Sequence, residues 1–431
     1  MPHTVTRYTL PNGLLVLLQE IHTAPLVSHW MWYRVGSRDE APGMTGASHW
    51  VEHMQFKGTP RYPAGLLDRL ISRQGGYWNA STFLDWTVYF ATMPSDSIDL
   101  VLDLEADRMV ASQFDTADFE AERTVIISER QGSENEPLFL LGEAVQAAAF
   151  QSHPYRHEVI GSLEDLQHIQ RDDLYSHYRT YYRPDNAVLS IAGDFDTALM
   201  LERLHQLYDP IPVGGPPPRL AQPDPPLDQP QEVIVEGPGE TTYLELAYRG
   251  PAAEHPDFWP MTVLDSLLSG ASSPSLFGGG ISNKTSRLYR ALVEKEVAVG
   301  VSGDLLATFD PFIYSLGIVL PPDGNTEPAL AAVDAEIARL QDSLPGNDEV
   351  QRALKQARAL FAYSSESISH QASWMGFAEL VSGYDWFATY LDRLAQVTPQ
   401  DVQRVAREYL LPEQRILGLY LPTGEESELD D

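Results

Sequence analysis

Apolar and polar residues alternate along 86–92 (WTVYFAT) and 187–192 (AVLSIA), which predicts strands, because successive strand side chains point to opposite faces. Along 64–73, 98–110 and 330–340 the apolar positions recur every three to four residues, which predicts helices. Strands interspersed with helix pairs argue for an α+β fold in which helices pack on a sheet. Residues 209–230 (DPIPVGGPPPRLAQPDPPLDQP) hold too much proline for a helix or a central strand and read as an extended, semi-rigid linker. The flanking halves resemble each other. Asp173, Leu174, Arg179, Tyr181, Pro184 and Leu189 match Asp401, Val402, Arg407, Tyr409, Pro412 and Leu417 at a constant offset of 228, each set reading as helix, Pro-marked turn and strand. The expectation is two homologous α/β-sandwich halves, each an antiparallel or mixed sheet with packed helices: residues 1–208, a Pro-rich linker at 209–231, and residues 232–431.

Chemistry concentrates in His49-Trp50-Val51-Glu52-His53. Residues four apart lie on one helix face, so both imidazoles would point the same way, with the Glu52 carboxylate beside them. Two neutral imidazoles can hold a metal ion while a carboxylate stands by the open position and takes a proton from water. Gly43, Thr45 and Gly46 supply a helix start, and Lys57-Gly58-Thr59-Pro60 a stop, so the motif falls on a short helix. The order H-x-x-E-H is the inverted-zincin pattern. Two histidines one turn apart can equally be a plain polar face. A catalytic zinc wants a third protein ligand. The helical pattern at 119–137 offers Glu122 and Glu129, seven apart on one face, and we take Glu129 as ligand and Glu122 as its support. The competing reading is an acidic, solvated helix face. The second half carries no H-x-x-E-H, and its comparable stretch 264–269 (LDSLLS) is largely apolar, so one zinc ion per chain is expected.

These residues resemble the pitrilysin or insulinase-type zinc metallopeptidases, and within them the half-length members that include the mitochondrial processing peptidase and its bacterial relatives. The matching stretches are 46–59 (GASHWVEHMQFKGT), 75–89 (GGYWNASTFLDWTVY), 122–137 (ERTVIISERQGSENEP) and 153–194, with the opening Tyr8-Thr9-Leu10-Pro11-Asn12-Gly13, so nearly the whole chain is covered. The resemblance implies an endopeptidase or oligopeptidase in which His49, His53 and Glu129 hold zinc, Glu122 orients the site and Glu52 is the general base. It also implies that Asn79 and Ala80 contact a peptide substrate. An exposed edge strand there could hold an extended peptide through main-chain hydrogen bonds, the alternative being an ordinary hairpin.

Members acting alone or as homodimers carry an Arg and, seven residues later, a Tyr in the C-terminal half. Here those positions fall on Leu292 and Val299, though Arg287 or Arg290 could compensate. The expected partner is therefore a metal-free homologous subunit in a heterodimer, with a homodimer as the alternative. A non-catalytic structural or chaperone-like member, and a zinc hydrolase acting on a non-peptide bond, are the competing functional readings.

With 61 acidic and 29 basic residues the formal charge is −32, which argues against nucleic acid and against anionic membranes. No apolar run reaches the ~20 residues that span a bilayer, and the start lacks the form of a secretory signal, which points to the cytoplasm unless a signal was trimmed. The chain has no cysteine, which excludes disulfides and thiol catalysis. Gly278 to Thr285 fails as a phosphate loop, since Asn283 stands where glycine is needed before Lys284; it reads as a flexible loop near a substrate chamber or a plain surface loop. His153 and His157 are separated by Pro154 and are expected to be structural or exposed. Tyr175, Tyr178, Tyr181 and Tyr182 read as helix packing, and residues 424–431 as a solvated tail.

Overall fold

Strand β3 (Leu26–Tyr33) is buried from Val27 to Tyr33, the pattern of a central strand covered on both faces. The computed structural model describes residues 4–220, 223–273, 277, 282–322 and 324–424. Around β3 lie β1 (Val5–Thr9), β2 (Leu15–Glu20), β4 (Tyr77–Thr82), β5 (Thr87–Pro94) and β6 (Ala187–Gly193), in the order β1-β2-β6-β3-β5-β4. Only β2 and β6 pair in parallel. The second sheet contains β7 (Gln231–Gly237), β8 (Tyr243–Arg249), β9 (Gly300–Leu305), β10 (Ile313–Val319) and β11 (Ile416–Pro422), in the order β7-β11-β8-β10-β9, and again only the β7–β11 pair is parallel. Apart from β1, the two orders superpose strand for strand. The chain therefore carries two homologous α/β halves with mixed sheets, as the 228-residue repeat predicts.

The expected helices are present as Leu66–Arg73, Ile98–Ala111 and Thr326–Asp342, and the two expected strands are β5 and β6. By packing, the chain divides into two compact units. One is Met1–Arg130 with His157–Ala221 and Ser365–Phe387; the other is Gln131–Arg156 with Gln222–Ser364 and Ala388–Asp431. Each sheet is thus covered by a helix from the opposite half of the sequence. Helix Ile368–Val381 packs on β3 and β6, and helix Pro137–Ala149 packs on β7, β8 and β11. In Ile368–Val381 every residue from Ala372 onward is buried, Glu379 among them with Arg7 as its ion-pair partner, so this part of the helix shows no solvent face. Its Gly376 permits the close crossing, since a Cβ there would lie 2.2 Å from Trp32 Nε1.

The Pro-rich stretch contains no helix or strand among its described residues, but it is pinned. In the first unit, Arg219 Nη1 donates to Asp39 Oδ1 and Nη2 to Asn186 Oδ1, both at 2.9 Å. In the second, Asp224 Oδ1 accepts from the Ser152 and His153 amides and the Ser152 hydroxyl, and Oδ2 accepts from the Gln151 amide and from Arg249. Burial alone would raise the Asp224 carboxyl; the three amides outweigh it and hold the group well below the usual carboxylate range. A carboxyl depressed in the folded state contributes stability above its unfolded pKa of about 3.9, and that contribution is lost as pH falls below it. Asp224→Asn turns one acceptor oxygen into a donor facing donors, and we expect it to cost about 2 kcal/mol at neutral pH and progressively less below about pH 4. Thermal or urea unfolding of both forms against pH measures this, and parallel curves at every pH would refute it.

Among the described residues no helix is long and apolar enough to cross a membrane. The glycine-rich residues 278–281 and the tail 425–431 lie outside the described residues. His153 is buried, with Nε2 3.1 Å from Asp310 Oδ2 and Nδ1 accepting from the Tyr155 amide, a structural role. Tyr178, Tyr181 and Tyr182 are buried and Tyr175 half-buried, as helix packing requires.

Candidate metal centre

The H-x-x-E-H motif lies on the eight-residue helix Ala47–Met54. Its Gly46 N-cap has a φ of 91°, a left-handed conformation that favours glycine, and has no side chain to cap the first turn. The Glu40 carboxyl does so instead, while Asp165 holds the residue before the cap. Glu40 accepts from the Gly46 amide at 2.8 Å and the Ser48 amide at 2.7 Å, and Asp165 accepts from the Thr45 amide at 3.0 Å and its hydroxyl at 2.6 Å. Helix-start amides need acceptors, which the Glu40 carboxyl supplies. Burial pushes the Glu40 carboxyl up to about 8, against the pull of those two amides.

One face of the helix anchors it. Trp50, Val51 and Met54 are fully buried, and Trp50 stacks flat on Phe119 with centroids 4.5 Å apart. Phe119 belongs to helix Thr116–Ser133, whose buried Phe119 and Ile126 turn Glu122 and Glu129 toward the motif. The opposite face carries the polar set. The His49 and His53 rings lie 4.6 Å apart. His53 Nδ1 is 3.0 Å from Glu122 Oε2, and His53 Nε2 is 3.6 Å from Glu129 Oε2. One donor atom from each of His49, His53 and Glu129 lies within 4.8 Å of the others. Lys57 forms an ion pair with Glu122 Oε1.

This donor set can hold a metal ion. Three atoms bound to one tetrahedral zinc at ~2.1 Å sit about 3.4 Å apart, so the His53–Glu129 spacing needs little adjustment and the cluster closes with side-chain torsions. His49 Nδ1 is buried with no hydrogen-bond partner among the described residues, and burial, with His53 nearby, lowers the His49 pKa to about 3, which keeps the ring in the neutral form a ligand requires. Glu52 is buried. Thr82 Oγ1 donates to Glu52 Oε2 at 2.6 Å, and burial raises the Glu52 carboxyl while that bond opposes the rise.

Thr82 ends β4, which among the described residues pairs only with β5 and is an edge strand of its sheet. Tyr77 is 60% exposed, Asn79 is exposed and Ala80 half-buried. The Asn79 side chain accepts from the Ala80 amide at 2.9 Å. Behind the strand, Trp78 packs on Phe56, and buried Arg108 lies over Tyr89 at 3.9 Å. In the second unit, Leu292 is fully buried and Val299 is 63% exposed. Arg287 is engaged by both oxygens of Glu349, whereas Arg290 is exposed.

Every residue singled out for metal binding thus gathers at one place, with Glu52 and Glu122 beside it. Sequence reasoning missed Glu40, Asp165, Thr82 and Lys57. Only Lys57, four residues past His53, carried a spacing that could have signalled it.

Two family models match the chain: "Insulinase (Peptidase family M16)" over residues 15–162 and "Peptidase M16 inactive domain" over residues 168–357. The chain is similar to the mitochondrial-processing peptidase subunit beta of Lentinula edodes, 27% identical over 93% of this chain and 86% of that protein. It is 28% identical to the zinc protease PqqE of Helicobacter pylori, over 93% of this chain and 89% of that protein. The crystal structure of a protease from Helicobacter pylori matches with a TM-score of 0.90 at 25% identity, covering 97% of this chain and all of that one.

Proposed function

We propose, starting from the fact that this chain belongs to the M16 or insulinase family of metallopeptidases, that it is a zinc-dependent endopeptidase or oligopeptidase with one metal site. The observation that carries this reading is the convergence of His49, His53 and Glu129 donor atoms next to the buried Glu52 carboxylate and the β4 edge. His49, His53 and Glu129 hold the zinc, which when bound polarises a carbonyl and acidifies water.

Glu52 takes a proton from the attacking water and passes it to the leaving amine nitrogen. Because Thr82 occupies Oε2, Glu52 Oε1 is the oxygen left for that transfer. Glu122 holds His53 by its Nδ1, directing Nε2 toward Glu129. The free side of β4, with Asn79 and Ala80, holds the substrate backbone as an added strand, which selects for extended peptides with little regard to side chains. The Ala80 amide then exchanges its Asn79 bond for a peptide carbonyl.

Thr82→Val removes the hydroxyl that orients Glu52 and keeps the shape. A lost hydrogen bond to a charged group is worth about 1.5–3 kcal/mol, so we expect kcat to fall about 10- to 100-fold with zinc content unchanged. Unaltered kcat would remove Thr82 from the machinery.

The partner we favour is a metal-free homologous subunit, because Leu292 is buried and Val299 is aliphatic where the resemblance calls for Arg and Tyr. The similarity to a chain described as a subunit points the same way. Metal analysis and a quenched-peptide assay on the full chain, alone and with its co-purifying protein, test the reading. Zinc with cleavage only in the complex supports a heterodimer, efficient cleavage by the lone chain favours the homodimer or monomer, and zinc without cleavage in either supports a structural role.

A further inference from the structure

We infer that Lys57 is a positioning residue for the metal centre, acting through Glu122 on the zinc ligand His53. The inference rests on the metallopeptidase reading and deepens it. Lys57 follows the motif helix by three residues, and its place is set by the helix's own closing turns, in which the Phe56 amide bonds the His53 carbonyl and the Lys57 amide the Met54 carbonyl, both at 3.0 Å. Its side chain is 29% exposed and reaches inward to Glu122, which is only 8% exposed.

The two oxygens of Glu122 are divided. Oε2 takes His53 Nδ1 at 3.0 Å, and Oε1 takes the Lys57 ammonium. A ligating histidine is neutral, so the buried Glu122 charge needs a cation elsewhere, and an unpaired buried carboxylate is costly. Lys57 supplies that cation and fixes the carboxylate plane by its second oxygen. With Glu122 held at both ends, the His53 ring cannot turn without losing its Nδ1 bond, and Nε2 stays 3.6 Å from Glu129 Oε2. Groups that orient a metal-bound histidine typically contribute about 10- to 100-fold to metal affinity. Lys57 is placed to provide part of that through a carboxylate it shares with the ligand.

The test is zinc affinity, read by competition with a chromophoric chelator on the full chain, with thermal unfolding of each metal-free protein as a folding control. Lys57→Met should weaken zinc binding about 10- to 100-fold, Lys57→Gln should behave alike if the methionine protein folds poorly, and Lys57→Arg, which keeps a cation, should recover most of the loss. In a Glu122→Gln background, Lys57→Met should add little further loss, because the pathway is already cut. Affinity equal to wild type in Lys57→Met, or a full additional loss in the Glu122→Gln background, overturns the inference and leaves the peptidase reading standing. Failure of the unaltered chain to bind zinc would instead sink both.

Discussion

Glu52→Gln should leave zinc bound at full stoichiometry while peptide cleavage falls about 10²- to 10⁴-fold, the range that a positioned general base contributes. The substitution preserves shape and can still accept from Thr82 through its amide oxygen, so the helix and the histidines on either side keep their positions. What is lost is the ability of the buried side chain to accept a proton. The comparison requires metal content and kcat/KM on the same preparations. Near-normal cleavage by a zinc-loaded Glu52→Gln protein would move the base elsewhere, and loss of zinc would mean that Glu52 helps hold the ion.

Glu129→Ala should have the opposite signature, with metal lost first and activity as a consequence. The Glu129 side chain is 43% exposed, so truncation opens no cavity and the fold should be unaffected. Removing one of three protein donors should weaken zinc binding by more than the about 10- to 100-fold expected for supporting residues. Activity should then return in part at high added zinc, which no loss of the base could achieve. If Glu129→Ala retained zinc through dialysis against chelator as tightly as the parent chain, another residue would have to be the third ligand.

These two expected outcomes would separate holding the ion from moving the proton; what was readable in advance is which side chains share a face, because that depends on local geometry. A four-residue spacing puts His49 and His53 on one helix face wherever the helix goes, and a seven-residue spacing does the same for Glu122 and Glu129. The duplication was legible for a related reason, since the same helix, turn and strand pattern recurs ahead of β6 and β11; the matching strand order of the two sheets agrees with it but only the folded structure shows it.

Other features left no local trace. From Ala372 onward helix Ile368–Val381 is buried all round, so this stretch has no solvent face to mark which sheet it covers, and only packing assigns it to β3 and β6. Likewise Glu40 caps the motif helix from six and eight residues upstream, and Asp165 fixes Thr45, just ahead of the cap, from more than a hundred downstream. Neither position fits a capping-box spacing.

The sequence by itself determined the chemical inventory of this protein: two imidazoles and three carboxylates in registers that helices convert into shared faces, set in the first half of a duplicated scaffold whose second half lacks the motif. Tertiary structure decided which oxygen of each carboxylate is engaged, that Thr82 and Lys57 steady the acids, and that each sheet is closed by a helix from the opposite half of the chain. The reason is range. Helical periodicity acts over a few residues, whereas contacts between residues 30, 65 or 120 positions apart exist only once the core has brought their elements together.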